Sequence, residues 1–444
     1  VPDYPHMHMH TAFSLGADFV VHNVRFATPT RSPDDWTSVS LYNEGESAAG
    51  SLPQLSPPAL VLGPETPCFY CGQTSHASAN CPSRFLSPLE GGIWTEVAKL
   101  NLEAIQLATA EVESHLGSLG SEGEKREYIS AAIRADEPHG VMLRAFYDLA
   151  WPVQARSISF FWRIRGKEIN KAVKDLMPID KNPVWDMQEE FFRYGGEHCR
   201  EGMKQLLLKY PNDYRVLSLS GFLAVETGDA EKAERFWKDA ERNSPNPAIQ
   251  GWHTLLLARL HECLGRYSQA LKLYEQACRS YPNWQEPLYR KAVCLVKAGF
   301  SQTALALLLP MIDKNGHIFN RAVIDPELER GYIQVQGSLE GLWNAMEQQA
   351  RIELEKLKSM REELSTWFVP GNEFADEMAG RIDSLRQLGG IRNYVAFQRL
   401  HTGRFGLEKD LQNHVLHEAK AFKNRFRLFT SRLKVIHEES VWFP

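Results

Sequence analysis

From Ile93 onward apolar residues recur at helical spacing, and the earlier chain shows almost none of this periodicity. Ile93, Val97, Leu100, Ile105, Leu107, Val112 and Leu116 predict a helix over about 93–116, closed by Gly117-Ser118-Leu119-Gly120-Ser121. A second helical stretch covers about 123–165, with breaks expected at Pro138-His139-Gly140 and at Pro152. Residues 19–26 and 38–42 read as strands, too few to close an independent sheet, so residues 1–45 form a short strand-like segment. The pattern predicts a mostly α fold.

Self-similarity with a period of ~34 residues runs through the middle of the chain. One unit is marked by Gly221, Gly228-Asp229, Ala233, Trp237, Ala240 and Pro245, and the next by Ala258, Gly265-Arg266-Tyr267, Ala270, Tyr274, Ala277 and Pro282. A third has Ala292, Gly299-Phe300, Ala304 and Leu308, and ends raggedly at Pro310-Met311 as a closing repeat. Residues 180–213 fit a degenerate unit, with Cys199 at the small position and Tyr210-Pro211-Asn212 matching Tyr281-Pro282-Asn283. Small residues let paired helices approach, aromatics fill the space beside them, Gly makes the turn, and Pro ends the second helix.

Over 180–316 the chain resembles the tetratricopeptide repeat family. That resemblance implies an α-solenoid with a concave surface for peptides or proteins, joined here by additional helices over 90–179 and 327–444. Family geometry turns the first helix of each repeat inward, which makes Arg215, Phe222, Trp252, Arg259, Glu262, Tyr289 and Lys297 the candidate partner contacts. For Phe222, Trp252 and Tyr289, packing between repeats is an equal alternative.

The most specific chemical signal is Cys68-x2-Cys71-x4-His76-x4-Cys81. Three thiolates and one imidazole make a closed tetrahedral set for Zn²⁺, with no coordination position left for water, so the metal is expected to be structural. The segment 68–82 resembles the retroviral-type CCHC zinc knuckle. In that family Phe69 would stack on a base and Gly72 would make the turn after the second ligand; here Ser75 replaces a Gly, and the knuckle holds no Lys or Arg. Residues 46–67, rich in Pro, Ser and Gly, read as an extended linker, so the knuckle is expected to hang from a tether and to unfold by itself on chelation.

Residues 338–366 place Trp343, Met346, Ala350, Leu354, Leu357 and Leu364 near heptad spacing. The pattern lasts only about four heptads, which favours a helix packed on the array over self-association. The whole chain has 444 residues, with 50 Lys and Arg against 55 Asp and Glu and a net charge of −5, but residues 381–434 hold twelve basic against four acidic residues. There Leu411, Val415, Phe422, Phe426, Phe429, Leu433 and Ile436 share a helical stripe, while Lys423, Arg425, Arg427, Arg432 and Lys434 lie on other faces. Packing the stripe and solvating the charge is the plainest reading; nucleic acid, anionic lipid or an acidic protein surface are the sharper ones.

No phosphate loop, dinucleotide fingerprint, zinc-protease motif or nucleophile elbow occurs, and no stretch has the ~20 apolar residues of a transmembrane segment. Seven cysteines without a disulfide pattern suit a reducing cytoplasm. The expectation is a non-catalytic cytoplasmic scaffold or adaptor that binds another protein through the repeat groove, with the zinc knuckle as a second docking module. The alternative is a factor for RNA or single-stranded DNA, using Phe69, Arg84 and the five cations of the basic helix.

Overall fold

A computed structural model describes residues 19–25, 38–43, 67–73, 76–85, 92–163 and 183–440, so all of the linker expected over 46–67 except its last residue lies outside the described residues. Strands β1 (Phe19–Arg25) and β2 (Ser38–Asn43) pair antiparallel, with Val21 opposite Leu41 and an irregularity between His22 and Arg25. Among the described residues everything else with regular structure is helical. The described chain forms two compact units, one up to Val97 plus Glu103–Glu340, the other Ala98–Leu102 plus the residues from Gly341.

The first unit opens with helices α1 (Ile93–Val97), α2 (Leu102–Ser118), α3 (Glu122–Ala132), α4 (Pro138–Asp148) and α5 (Ile158–Arg163). The helix expected over 93–116 is therefore interrupted at 98–101. The breaks expected at Pro138 and Pro152 are present: Pro138 opens α4, where a missing N–H costs nothing, and Pro152 sits in a 3-10 turn, Trp151–Val153. Ser121 starts α3 with a reciprocal capping box to Glu124.

Paired antiparallel helices follow: α6 (Pro183–Tyr194) with α7 (Gly196–Lys209), α8 (Tyr214–Glu226) with α9 (Ala230–Arg242), α10 (Pro247–Cys263) with α11 (Tyr267–Ser280), and α12 (Glu286–Lys297) with α13 (Ser301–Lys314). The small residues Ala233, Ala270 and Ala304 are fully buried, as are Trp237 and Tyr274 beside them. Gly221 shows why size matters. A Cβ there would lie 2.2 Å from the Trp237 indole nitrogen, which donates to the Ser218 carbonyl at 3.1 Å.

The end expected at Pro310-Met311 is displaced, because α13 runs through Pro310 to Lys314. Leu305, Leu308, Met311 and Ile312 are buried on both sides of it, and that packing outweighs the cost of an interior proline, about 3 kcal/mol. Helix α14 (His317–Ile324) and a 3-10 turn, Pro326–Gly331, then lead to α15 (Tyr332–Trp367).

Helix α15 continues into the second unit, which adds α16 (Glu373–Leu388) and α17 (Tyr394–Ser440). Ala350, Leu357, Met360 and Leu364 of α15 form one core with Met378, Ala379 and Ile382 of α16 and with Phe397, Leu400, Leu407 and Leu411 of α17. Trp343, Met346 and Leu354 pack against it. The stripe over 338–366, a candidate for self-association or for packing on the array, is thus consumed by this unit's own core. Buried Glu353, with Arg404 and His401 as partners, adds an ionic contact between α15 and α17.

Candidate metal centre and concave face

Between Cys68 and Cys81 the chain folds on short-range hydrogen bonds. The Gly72 N–H donates to the Cys68 carbonyl at 2.9 Å, the Cys68 N–H to the Gln73 carbonyl at 2.8 Å, and the Phe69 N–H to Ser78 Oγ at 2.9 Å. Gly72 has φ +78°, a left-handed conformation that costs glycine nothing, and a Cβ there would lie 2.3 Å from the Glu327 carboxylate. This loop brings the ligand atoms of Cys68, Cys71, His76 and Cys81 within 4.8 Å of one another.

The donor set fits a metal ion. Burial pushes the Cys71 and Cys81 thiols well above their ordinary range; at Cys68 burial acts the same way, but hydrogen bonds from Cys71, Cys81 and His76 carry it far below. Three buried sulfurs therefore compete for negative charge that a divalent cation would satisfy together. Cys81 Sγ also meets Ser83 Oγ at 3.0 Å, and Gln154 Nε2 donates to that hydroxyl at 2.7 Å, a buried outer support for the fourth ligand.

The knuckle does not hang free. Phe69 and Tyr70 are buried, with Phe69 on the Trp237 ring at 5.2 Å and Tyr70 stacked on Phe222 at 6.3 Å. The Tyr70 hydroxyl reaches Glu226 at 3.3 Å, and Arg259 Nε donates to the Phe69 carbonyl at 2.8 Å. Cysteines of the knuckle belong to the same apolar cluster as the inner helices. The expectation of a tethered, separately folding module is corrected accordingly: its aromatic pair needs the array to leave water.

A buried ionic network continues from that contact. Arg259 donates to Glu262 at 2.7 Å and to Glu327 at 2.8 Å; Lys297 donates to the same two carboxylates at 2.7 and 2.9 Å. Arg290 holds the other oxygen of Glu327 at 2.7 Å and the Leu149 carbonyl at 2.6 Å. Burial opposes charge on Glu327, yet Arg259, Lys297 and Arg290 hold it well below the ordinary carboxylate range. Lys297, despite burial, is held well above the usual lysine value by Glu262 and Glu327.

Six of the seven candidate partner contacts are therefore interior. Phe222, Trp252, Arg259, Glu262, Tyr289 and Lys297 are covered by the chain itself, and only Arg215, paired with Asp213 at 2.6 Å, is partly exposed. Trp252 lies against the Trp151–Val153 turn and α5, its indole N–H donating to the Pro152 carbonyl at 2.9 Å and its ring stacked on Phe161 at 4.7 Å. Tyr289 donates to Asp325 at 2.8 Å. What family geometry presents as an open groove is here filled by Phe69, Tyr70, Leu149, Pro152, Phe161, Asp325 and Glu327.

The residues of the alternative site are divided between the two units. Phe69 spends its ring on Trp237, and the Arg84 side chain lies outside the described residues. Lys423, Arg425, Arg427, Arg432 and Lys434 are exposed along α17, in the other unit. Sequence reasoning missed Glu327 and Arg290. Glu327 stands in a 3-10 turn with no motif around it, and only its contact with Gly72 and three cations reveals its place.

Residues 251–294, covering most of α10, all of α11 and most of α12, match the tetratricopeptide repeat family. Over residues 251–294 the chain carries a tetratricopeptide repeat. In tetratricopeptide terms α8 to α13 make three stacked helix pairs, with α6 and α7 as a degenerate pair before them. No curated protein and no solved structure matches the chain. Tetratricopeptide repeats commonly serve protein–protein association, and among the described residues no helix is long and apolar enough to cross a membrane.

Proposed function

We propose that this tetratricopeptide chain is a non-catalytic cytoplasmic scaffold for partner proteins, in which a structural Zn²⁺ knuckle is the resident occupant of the concave face. The observation that carries the reading is the capture of the Phe69 carbonyl by buried Arg259, with the flanking rings seated on Trp237 and Phe222. A groove that holds the turn at Phe69-Tyr70 by its backbone and two aromatic side chains is behaving as a peptide receptor toward its own chain. Partner proteins then meet the surfaces that the knuckle leaves uncovered, and the zinc keeps the assembly rigid.

Zinc is the metal of choice because a Cys3His set is soft, tetrahedral and closed. A closed site offers no position for a reacting water, which supports a structural role. The titratable groups of the concave face pair with one another away from solvent, which supports a non-catalytic one. None of the seven cysteines forms a disulfide, in keeping with a reducing compartment.

Two measurements test the proposal. Metal analysis of the purified full chain is expected to give one zinc per chain and none after Cys71→Ser; iron, or a chain that folds identically without metal, contradicts the knuckle's role. Affinity capture from native lysate is expected to retain specific proteins whether or not nuclease is added. Retention that disappears with nuclease would instead support the nucleic-acid alternative.

A further inference from the structure

Helix α17 changes character along its length. Phe397, Leu400, Leu407 and Leu411 enter the core of the second unit, but from Leu416 to Ser440 every residue except Ala421 is exposed. At 1.5 Å per residue this is an arm of about 37 Å. It is not polar: Phe422 is 69% exposed, Phe426 59%, Phe429 61%, Leu433 50% and Ile436 60%. These five positions alternate spacings of four and three and fall in a stripe about 80° wide on a helical projection.

Cations flank the stripe on both sides. Lys423 and Lys434 project to one flank, Arg425 and Arg432 to the other, with Lys420 and Arg427 beyond them, and no Asp or Glu occurs between Glu418 and Glu438. We propose that this arm is a docking surface for anionic lipid, lying in the membrane interface with its Phe stripe among the acyl chains and its cations at the headgroups. Charge complementarity selects this occupant. Two copies joined stripe to stripe would set one flank of cations against another, and a coiled-coil seam prefers Leu, Ile or Val where this one has three Phe. A lipid surface accepts phenylalanine without register and meets an unbroken run of positive charge with negative charge everywhere.

The test is flotation of the full chain with vesicles of phosphatidylcholine alone or with about a third phosphatidylglycerol. Binding is expected to be at least about tenfold greater to the anionic vesicles, and to weaken as salt rises from about 0.1 M to about 0.5 M. The exposed triple variant Phe422→Ser, Phe426→Ser, Phe429→Ser is expected to lose binding with an unchanged thermal unfolding curve, and Arg425→Gln, Arg427→Gln, Arg432→Gln to lose the anionic preference. Equal binding to both vesicle types, or none, overturns the proposal. So does concentration-dependent dimerisation abolished by the Phe variant, which would assign the stripe to a second copy, or vesicle binding that survives both variants.

Discussion

Arg259 and Phe69 stand 190 residues apart, yet the guanidinium Nε of one donates to the backbone carbonyl of the other at 2.8 Å, inside the protein. The same guanidinium meets Glu262 and Glu327, so a single side chain ties the knuckle's backbone, an inner repeat helix and a downstream turn together. Removing it deprives two buried carboxylates of a cation. Arg259→Gln is expected to cost about 3–5 kcal/mol in urea unfolding, whereas Arg215→Gln, at the exposed margin, should cost under about 1 kcal/mol. Equal losses would show that Arg259 is not buried as described.

Gly221 tests the repeat packing from a position outside the knuckle. Gly221→Ala places a methyl group where the Trp237 indole lies, at 2.2 Å, and Trp237 has Phe69 on its other contacts. Overpacking of this kind costs about 1–3 kcal/mol. Part of the loss should be recovered by adding Trp237→Phe, whose smaller ring vacates the indole position; strictly additive losses would argue against the contact.

Burial lowers the His253 imidazole to about 3. Its ring sits between the Ser218 and Ser244 hydroxyls and is fully enclosed. Between the ordinary value of 6.5 and about 3, the unfolded chain binds a proton that the folded chain refuses. The stability due to neutral His253 is complete above 6.5 and drains as pH falls, at up to about 1.4 kcal/mol per pH unit. His253→Gln should flatten the stability profile between about pH 6 and pH 4. An unchanged slope would mean that the imidazole titrates freely.

Much of the repeat region was legible in the chain because each repeat position has a local steric task. Ala233 and Ala270 had to be small and Trp237 and Tyr274 large, and the four are fully buried at the predicted helix contacts. The metal donors were legible for a similar reason, since spacing alone brings Cys68, Cys71, His76 and Cys81 together. What covers the groove was not legible. Arg259, Glu262 and Lys297 are charged residues on an inner helix face, a pattern that ordinarily means solvent or a partner. Their burial depends on Glu327 and on the knuckle backbone, which no periodicity connects to them. Phe69 misled in the same way, since a family aromatic free to stack on a base is here satisfied by Trp237.

The Phe69 ring gives a compact check of that last point. Phe69→Ala is expected to lower unfolding stability by about 3–5 kcal/mol, as for a large ring removed from a core, while leaving one zinc bound and any association with single-stranded RNA unchanged. Loss of RNA binding at unaltered stability would return the ring to the surface.

The central claim, that the knuckle and the repeats form one metal-dependent fold, is tested most directly by hydrogen exchange on the full chain before and after zinc chelation. The structure predicts that amides of α8 and α10, around Phe222 and Arg259, lose protection together with residues 68–81, because their buried partners depart. Loss confined to residues 68–81, with α8 and α10 as protected as before, would contradict it.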